Sequence, residues 1–342
     1  MKIVYKKNCS PCGERNTQCS CETKMEGEYI YRDWCGLSYH RQAKYDQMNH
    51  QSESEVREMD EGDPRRGIRM FQVDAFTEEP FKGNPAAVCL MEEELDDATL
   101  QAIAAENNLS ETAFVSTVGG GPFGTADEFH LRWFTPTVEV PLCGHATLAT
   151  SAVLFDALGY PRDEVRYRTL SGTLVAKRRE DGILLDFPAD EVVPFEPPEG
   201  LLEALGIEEI VEVCYAKRGK DIMIRVSSPG MVRGLDPDFR SMVASTEGID
   251  VNGTMVTSEG EPPYDFISRF FAPWLGIDED PVTGAAHTVL TPYWSGRLGK
   301  KVMRAHQASR RGGDLTVEMV EGGRVHLIGS AVIMIEGSLF LQ

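Results

Sequence analysis

Two stretches of this chain carry one pattern. The first runs Arg132-Trp133-Phe134-Thr135-Pro136, passes through seven residues to Gly144-His145-Ala146, and ends at Leu158-Gly159. The second runs Arg269-Phe270-Phe271-Ala272-Pro273, passes through ten residues to Gly284-Ala285-Ala286, and ends at Leu298-Gly299. Arg, an aromatic, Phe, a small residue and Pro recur in order, and the distance from glycine to Leu-Gly is the same in both. Each copy reads as a strand, a turn and an apolar helix that is entered through one glycine and closed by another. The pattern predicts a duplicated unit, strands wrapped around a buried helix. Two such units face to face make a cleft with a helix N-terminus on either wall. Helix N-termini offer free backbone N–H groups and the positive end of a dipole, which suits a carboxylate or an oxyanion.

The second entry, Asp278-Glu279-Asp280-Pro281-Val282-Thr283-Gly284, reads as an acidic turn opening a helix. Its counterpart is Pro141-Leu142-Cys143-Gly144-His145-Ala146-Thr147. The helix over 147–158 has almost no polar face, so it should be surrounded by protein. Pro292, eight residues past Gly284, should kink or shorten the second helix, because proline lacks the N–H its turn needs.

Outward from these helices, ordered structure is expected from about Ile68. Residues 69–76 alternate as a half-buried strand, 86–91 make a second strand, and Asp96 or Asp97 caps a helix that Asn107-Asn108 ends. Residues 109–115 read as a strand carrying one acid, Glu111, between apolar neighbours. The glycine-rich loop 119–124 lacks a following Gly-Lys-Ser/Thr and reads as a hairpin connection. The acidic, proline-rich run 187–200 is a candidate linker. After it, strands near 211–216, 221–226, 255–258, 264–271, 301–306, 314–320, 324–328 and 330–336 repeat the plan, with a helix expected at 239–245.

The totals exclude some functions. A net charge of -20 over 342 residues argues against nucleic acid and against an anionic membrane surface. Apolar content of 42% provides for a core, and no apolar run approaches the length of a membrane span. Residues 1–66 are polar and hold five of the eight cysteines, and they read as a mostly disordered extension. Cys9, Cys12, Cys19 and Cys21 are cramped for a zinc site, and the expectation is no metal. Scattered cysteines in the rest of the chain suit a reducing compartment, hence the cytoplasm.

Four groups are candidates for chemistry. Glu111 lies either on the solvent face of its strand or in a partly dry pocket, where its proton affinity would rise towards neutral pH. His145 is either a helix-start cap or a working imidazole. Asp280 is either one of three acids complementing a dipole or a polar partner in the site. Cys143, at a helix start, is a nucleophile or base in one reading and a buried packing residue in the other.

Taken together, Phe71-Gln72-Val73-Asp74-Ala75-Phe76, Gly83-Asn84-Pro85, Asn108-Leu109-Ser110-Glu111-Thr112, Cys143-Gly144-His145-Ala146-Thr147 and Asp280-Pro281-Val282-Thr283-Gly284 stand in an order and at distances that resemble the PhzF-like family of phenazine-biosynthesis isomerases and epimerases. The resemblance covers the chain from about residue 68 onward. It implies an α+β fold of the diaminopimelate epimerase type, with two pseudo-symmetric domains, each a mostly antiparallel β-barrel around a central α-helix. The domains would span 68–188 and 196–334, with the last strand, near 335–342, returning to the first. The resemblance implies that Glu111 is the acid/base residue, that His145 and Asp280 assist it, and that Ser110, Gly144, Gly284 and Ala285 contact substrate. Ala285 stands where many members have Ser. A two-thiol mechanism is disfavoured because the second wall has Asp280-Pro281 and no thiol, which leaves Cys143 as a packing residue. The implied activity is a cofactor-independent proton shift on a small carboxylate-bearing substrate, by a homodimer. Rival readings are an amino- or hydroxy-acid racemase or dehydratase on the same fold, and a binding protein without activity.

Overall fold

A computed structural model describes residues 67–341, all within one compact unit. The expectations for the extension at 1–66 and its cysteines lie outside the described residues. Among the described residues, no helix is long and apolar enough to cross a membrane.

The fold is α+β and rich in sheet. The chain begins with strands Ile68–Ala75 and Asn84–Met91, then helix Asp97–Asn107 and strands Glu111–Thr117 and Phe129–Phe134. The expected cap is Asp96, whose side chain accepts from the Thr99 N–H, and Asn108 closes the helix in the left-handed conformation. The loop after residue 117 is a hairpin, since Glu111–Thr117 and Phe129–Phe134 pair antiparallel. Strand pairing is mostly antiparallel, and the parallel pairs repeat with the sequence. Asn84–Met91 pairs in parallel with Glu111–Thr117 across helix Asp97–Asn107, as Asp221–Arg225 does with Gly253–Glu259 across the short helices Pro229–Arg233 and Phe239–Ser245. Phe129–Phe134 pairs in parallel with Glu164–Thr169 across the first buried helix, as Phe266–Ala272 does with Val302–Gln307 across the second. The halves join where Gly182–Pro188 pairs with Arg324–Gly329 and where the final strand, Ala331–Leu339, pairs with the first.

Side chains repeat as well. The Arg132 guanidinium makes a two-pronged pair with Glu139, at 2.7 and 2.8 Å, and lies over the Phe134 ring. Arg269 does the same with Glu279, at 2.6 and 3.0 Å, and with Phe271. The Arg-aromatic-Phe pattern is thus an ion pair stacked on the ring two residues on, and it fixes the strand that leads into each helix.

All nine residues of helix Gly144–Ala152 are buried. Its hydroxyl side chains are satisfied within the helix: Thr147, Thr150 and Ser151 each donate to the carbonyl four residues back. It continues as a π-helical turn, Val153–Ala157, to Leu158. The second helix, Gly284–Leu298, is not shortened at Pro292, one of the two outcomes expected there. It runs unbroken through that proline. The carbonyl that Pro292 leaves without a helical donor is that of Thr288, and it accepts from the Asp190 N–H at 3.0 Å. A residue of the candidate linker thus fills the gap in the helix. The stretch 278–283 is also not wholly a turn. Ile277–Asp280 is a strand paired with Phe266–Ala272, so Glu279 serves Arg269 and not the helix dipole.

One apolar core holds both helices. Leu148, Val153, Leu154, Val289, Leu290 and Trp294 are buried in the same cluster. A second cluster, including Leu205, Ile224, Met242 and Phe271, packs helices Leu201–Leu205 and Phe239–Ser245 on the sheet.

Candidate active site

The two helices meet at their first residues. A methyl group added to Gly144 would lie 3.1 Å from Gly284 Cα, and one added to Gly284 would lie 3.1 Å from Gly144 Cα. A side chain at either position would force the facing backbone to give way. The residues before them, Cys143 and Thr283, are N-caps whose side chains do not cap their helices. Both first turns therefore direct uncapped N–H groups and two dipole ends at one place. Glycine at both positions is what permits this, and the sequence repeat marked both.

Glu111 opens its strand just past the left-handed turn at Asn108. Its Oε2 lies 3.2 Å from Nε2 of His145, and the two side chains are 14% and 4% exposed. The contact is poorly aligned for a hydrogen bond, and neither atom has another partner. Burial, with the nearby charge of Asp280 adding, pushes the Glu111 carboxyl up from 4.5 to about 8. Burial alone pushes His145 down to about 3, so its imidazole is neutral. The dry-pocket alternative for Glu111 is thus the one found.

Asp280 is 9% exposed and ends strand Ile277–Asp280, ahead of the second helix. Asn84 donates to its Oδ1 at 2.7 Å and the Thr283 hydroxyl to its Oδ2 at 2.6 Å. Burial raises its proton affinity, and those two hydrogen bonds oppose the rise. Gln307 ties the same turn, donating to the Asp280 carbonyl at 2.7 Å and accepting from the Thr283 N–H at 2.9 Å. Asn84 also accepts from the half-buried Ser110 hydroxyl at 3.5 Å, so it links Ser110 to Asp280. Ala285 is exposed beside the buried Gly284.

Of the candidates, Glu111, His145, Gly144, Gly284 and Asp280 thus converge, with Ser110 and Ala285 at the margin. Cys143 is buried in the apolar core, as its reading as a packing residue expects, and it also lies against two of the candidates. Its Sγ lies 3.5 Å from His145 Nδ1, and it is buried against Glu111, whose charge helps hold the thiol protonated after burial itself. Sequence reasoning weighed the thiol against a second thiol and never against its two neighbours. Asn84 was visible only as part of Gly-Asn-Pro, and Gln307 gave no signal, because its role depends on a strand folding back beside residues 280–283. A separate cavity of about 500 Å³, lined by Tyr264, Arg304, His306, Arg311 and Asp314 among others, includes none of the candidate residues.

Comparison with known proteins places the chain in a family. The family described as phenazine biosynthesis-like protein (PhzC-PhzF) matches residues 73–337. The chain belongs to this family. It is 46% identical over 284 residues to phenazine biosynthesis-like domain-containing protein 1 of Mus musculus, covering 80% of this chain and 99% of that protein. It is 47% identical over 274 residues to an uncharacterized isomerase of Pseudomonas aeruginosa, with the same coverage. Among solved structures, a PhzF-family protein of Enterococcus faecalis superposes with a TM-score of 0.71 at 40% identity, covering 80% of this chain and all of that one. A predicted epimerase of P. aeruginosa, at 20% identity and a TM-score of 0.62, shares the fold.

Proposed function

We propose that this chain is an isomerase or epimerase that moves a proton on a small carboxylate-bearing substrate, using only its own side chains. The site is the cleft between two barrel units of about 68–188 and 196–334, each wrapped around one buried helix. Glu111 takes a proton from a carbon next to a carboxylate or unsaturated group and returns it. The N–H groups at Gly144 and Gly284 hold the substrate carboxylate and the negative charge that develops beside it. Neutral His145 orients Glu111, and Asp280, fixed by Asn84 and Thr283, holds substrate polar groups and tunes Glu111 by its charge. Ser110 and Ala285 line the approach.

The observation that carries this reading is Glu111 itself, a nearly buried carboxyl whose proton affinity lies close to neutral pH where two uncapped helices abut. A group poised there can both accept and release a proton. The uncharacterized isomerase among the relatives is consistent with this chemistry.

The test is exchange of solvent deuterium into a panel of small carboxylic acids, read by mass spectrometry. Glu111→Gln should keep the fold and abolish exchange. Exchange at the wild-type rate by that variant would remove Glu111 from the mechanism. Chiral separation of exchanged products distinguishes racemisation, which inverts a centre, from isomerisation, which moves a double bond.

A further inference from the structure

We infer that Glu111, Cys143 and His145 form a binding site for a soft divalent cation of the zinc class, and that its occupancy switches the proton carrier off. The regulatory half of this inference rests on the function proposed above; the binding half stands on geometry. A carboxylate, a thiol and an imidazole have their ligand atoms within 4.8 Å of one another. Zinc accepts all three donor types at roughly 2.0–2.3 Å in a tetrahedral array. The cluster needs to contract by about an ångström at its widest to embrace the ion, which rotations of the Cys143 and Glu111 side chains supply.

A second observation points the same way. Glu111 Oε2 and His145 Nε2 are both buried, face each other, and have no hydrogen-bond partner. Buried polar atoms are otherwise almost always paired. A cation between them satisfies both. His145 is suited to this, because an imidazole with its proton on Nδ1 keeps the Nε2 lone pair, on the Glu111 side, for the metal, and Cys143 Sγ, which lies 3.5 Å from Nδ1, swings from that nitrogen to the ion. The thiolate selects soft cations over magnesium or calcium.

The balance of the step is simple. The Cys143 thiol exchanges its S–H bond for an S–metal bond and releases one proton to solvent. Glu111, when protonated, exchanges O–H for O–metal and releases a second. Two anionic ligands then neutralise a doubly charged ion, so the buried site carries no net charge and the metal is not stranded in an apolar setting. Three protein ligands leave a fourth position open towards the cleft. The bound ion ligates the carboxyl proposed to carry the substrate proton, so it acts as an inhibitor and not as a cofactor.

The experiment uses the full-length chain, stripped with EDTA and desalted under a phosphine reductant. Zn²⁺ is titrated by calorimetry in two buffers of different ionisation enthalpy, and Co²⁺ is added separately for its absorption spectrum. The N-terminal cysteines are controlled with a Cys9→Ser, Cys12→Ser, Cys19→Ser, Cys21→Ser, Cys35→Ser variant. We expect that variant to bind one Zn²⁺ with release of protons, and its Co²⁺ form to show a thiolate-to-metal band. Cys143→Ser and Cys143→Ala, placed in the same background, should bind Zn²⁺ at least roughly tenfold more weakly and lose the band. Unchanged zinc affinity in folded Cys143 variants overturns the site. So does the absence of a thiolate band in the N-terminal variant, a measurement that needs no change at Cys143 and decides the matter if the Cys143 variants fail to fold. Binding is read without activity. Inactive Glu111→Gln with no zinc site therefore removes only this inference, and zinc binding with active Glu111→Gln removes only the proposed function and, with it, the regulatory half.

Discussion

The abutting glycines allow a sharp test within one helix. Gly284 and Gly296 both lie in Gly284–Leu298. A β-carbon at Gly284 would stand 3.1 Å from Gly144 Cα, whereas one at Gly296 meets no atom within 4 Å. Carbon contacts are comfortable at about 3.5–4.0 Å, so Gly284→Ala must push the helices apart by about half an ångström. The neighbour is backbone in a buried helix and cannot swing aside. Overpacking of this kind costs about 1–3 kcal/mol. Exposed Gly296 sits in the last turns of the helix, and Ala there should stabilise by about 0.5–1 kcal/mol, since glycine loses more backbone freedom on folding. The two substitutions therefore differ in sign, by roughly 1.5–4 kcal/mol in total. Urea unfolding followed by tryptophan fluorescence measures both, with Trp294, buried on the same helix, reporting its state. Equal stability of Gly284→Ala and Gly296→Ala would refute the claim that the two helix starts touch. Gly284→Ala should also lose deuterium exchange well beyond its loss of stability, because the donors on the two walls no longer converge.

Other outcomes follow from the same structure. Glu111, with its proton affinity raised to about 8, holds in the folded state a proton that the unfolded chain releases near 4.5. That contribution is complete below about 4.5 and is lost as pH rises through about 8, so stability measured relative to Glu111→Gln should fall by roughly 3–5 kcal/mol from pH 4 to pH 9. A difference that stays flat with pH would contradict the buried carboxyl. Asn84→Ala leaves the Asp280 carboxylate without its 2.7 Å donor and should cost about 1–3 kcal/mol in urea unfolding and reduce exchange. Glu279→Ala strands Arg269, whose side chain is 12% exposed, and should cost roughly 2–4 kcal/mol, whereas Glu336→Ala breaks the exposed pair with Arg69 and should cost under about 1 kcal/mol. Equal costs by the same assay would show that burial does not set the worth of these pairs.

Much of the architecture was written locally. Asp96 and Asn108 mark their helix by side-chain chemistry that acts within three or four residues, and both act as read. The apolar run after Gly144 meant burial on every side, and every residue of that helix is buried. Misreadings arose where the deciding partner is distant in sequence. Pro292 signals a break only if nothing else supplies a donor to the Thr288 carbonyl, and Asp190, about a hundred residues earlier, supplies it. The acids at 278–280 looked like dipole complements until Arg269 on the neighbouring strand claimed Glu279.

The sequence by itself determined the duplication, the two glycine-entered helices, and the residue types gathered at their starts, because repeats, caps and apolar periodicity are properties of neighbouring residues. Only the tertiary structure decided that Gly144 and Gly284 touch, that Glu111 is nearly dry and faces His145, that Cys143 belongs to their cluster, and that Asn84 and Gln307 hold Asp280 in place. Each of those depends on desolvation or on a contact between strands far apart in the chain, and neither has a signature at any one position.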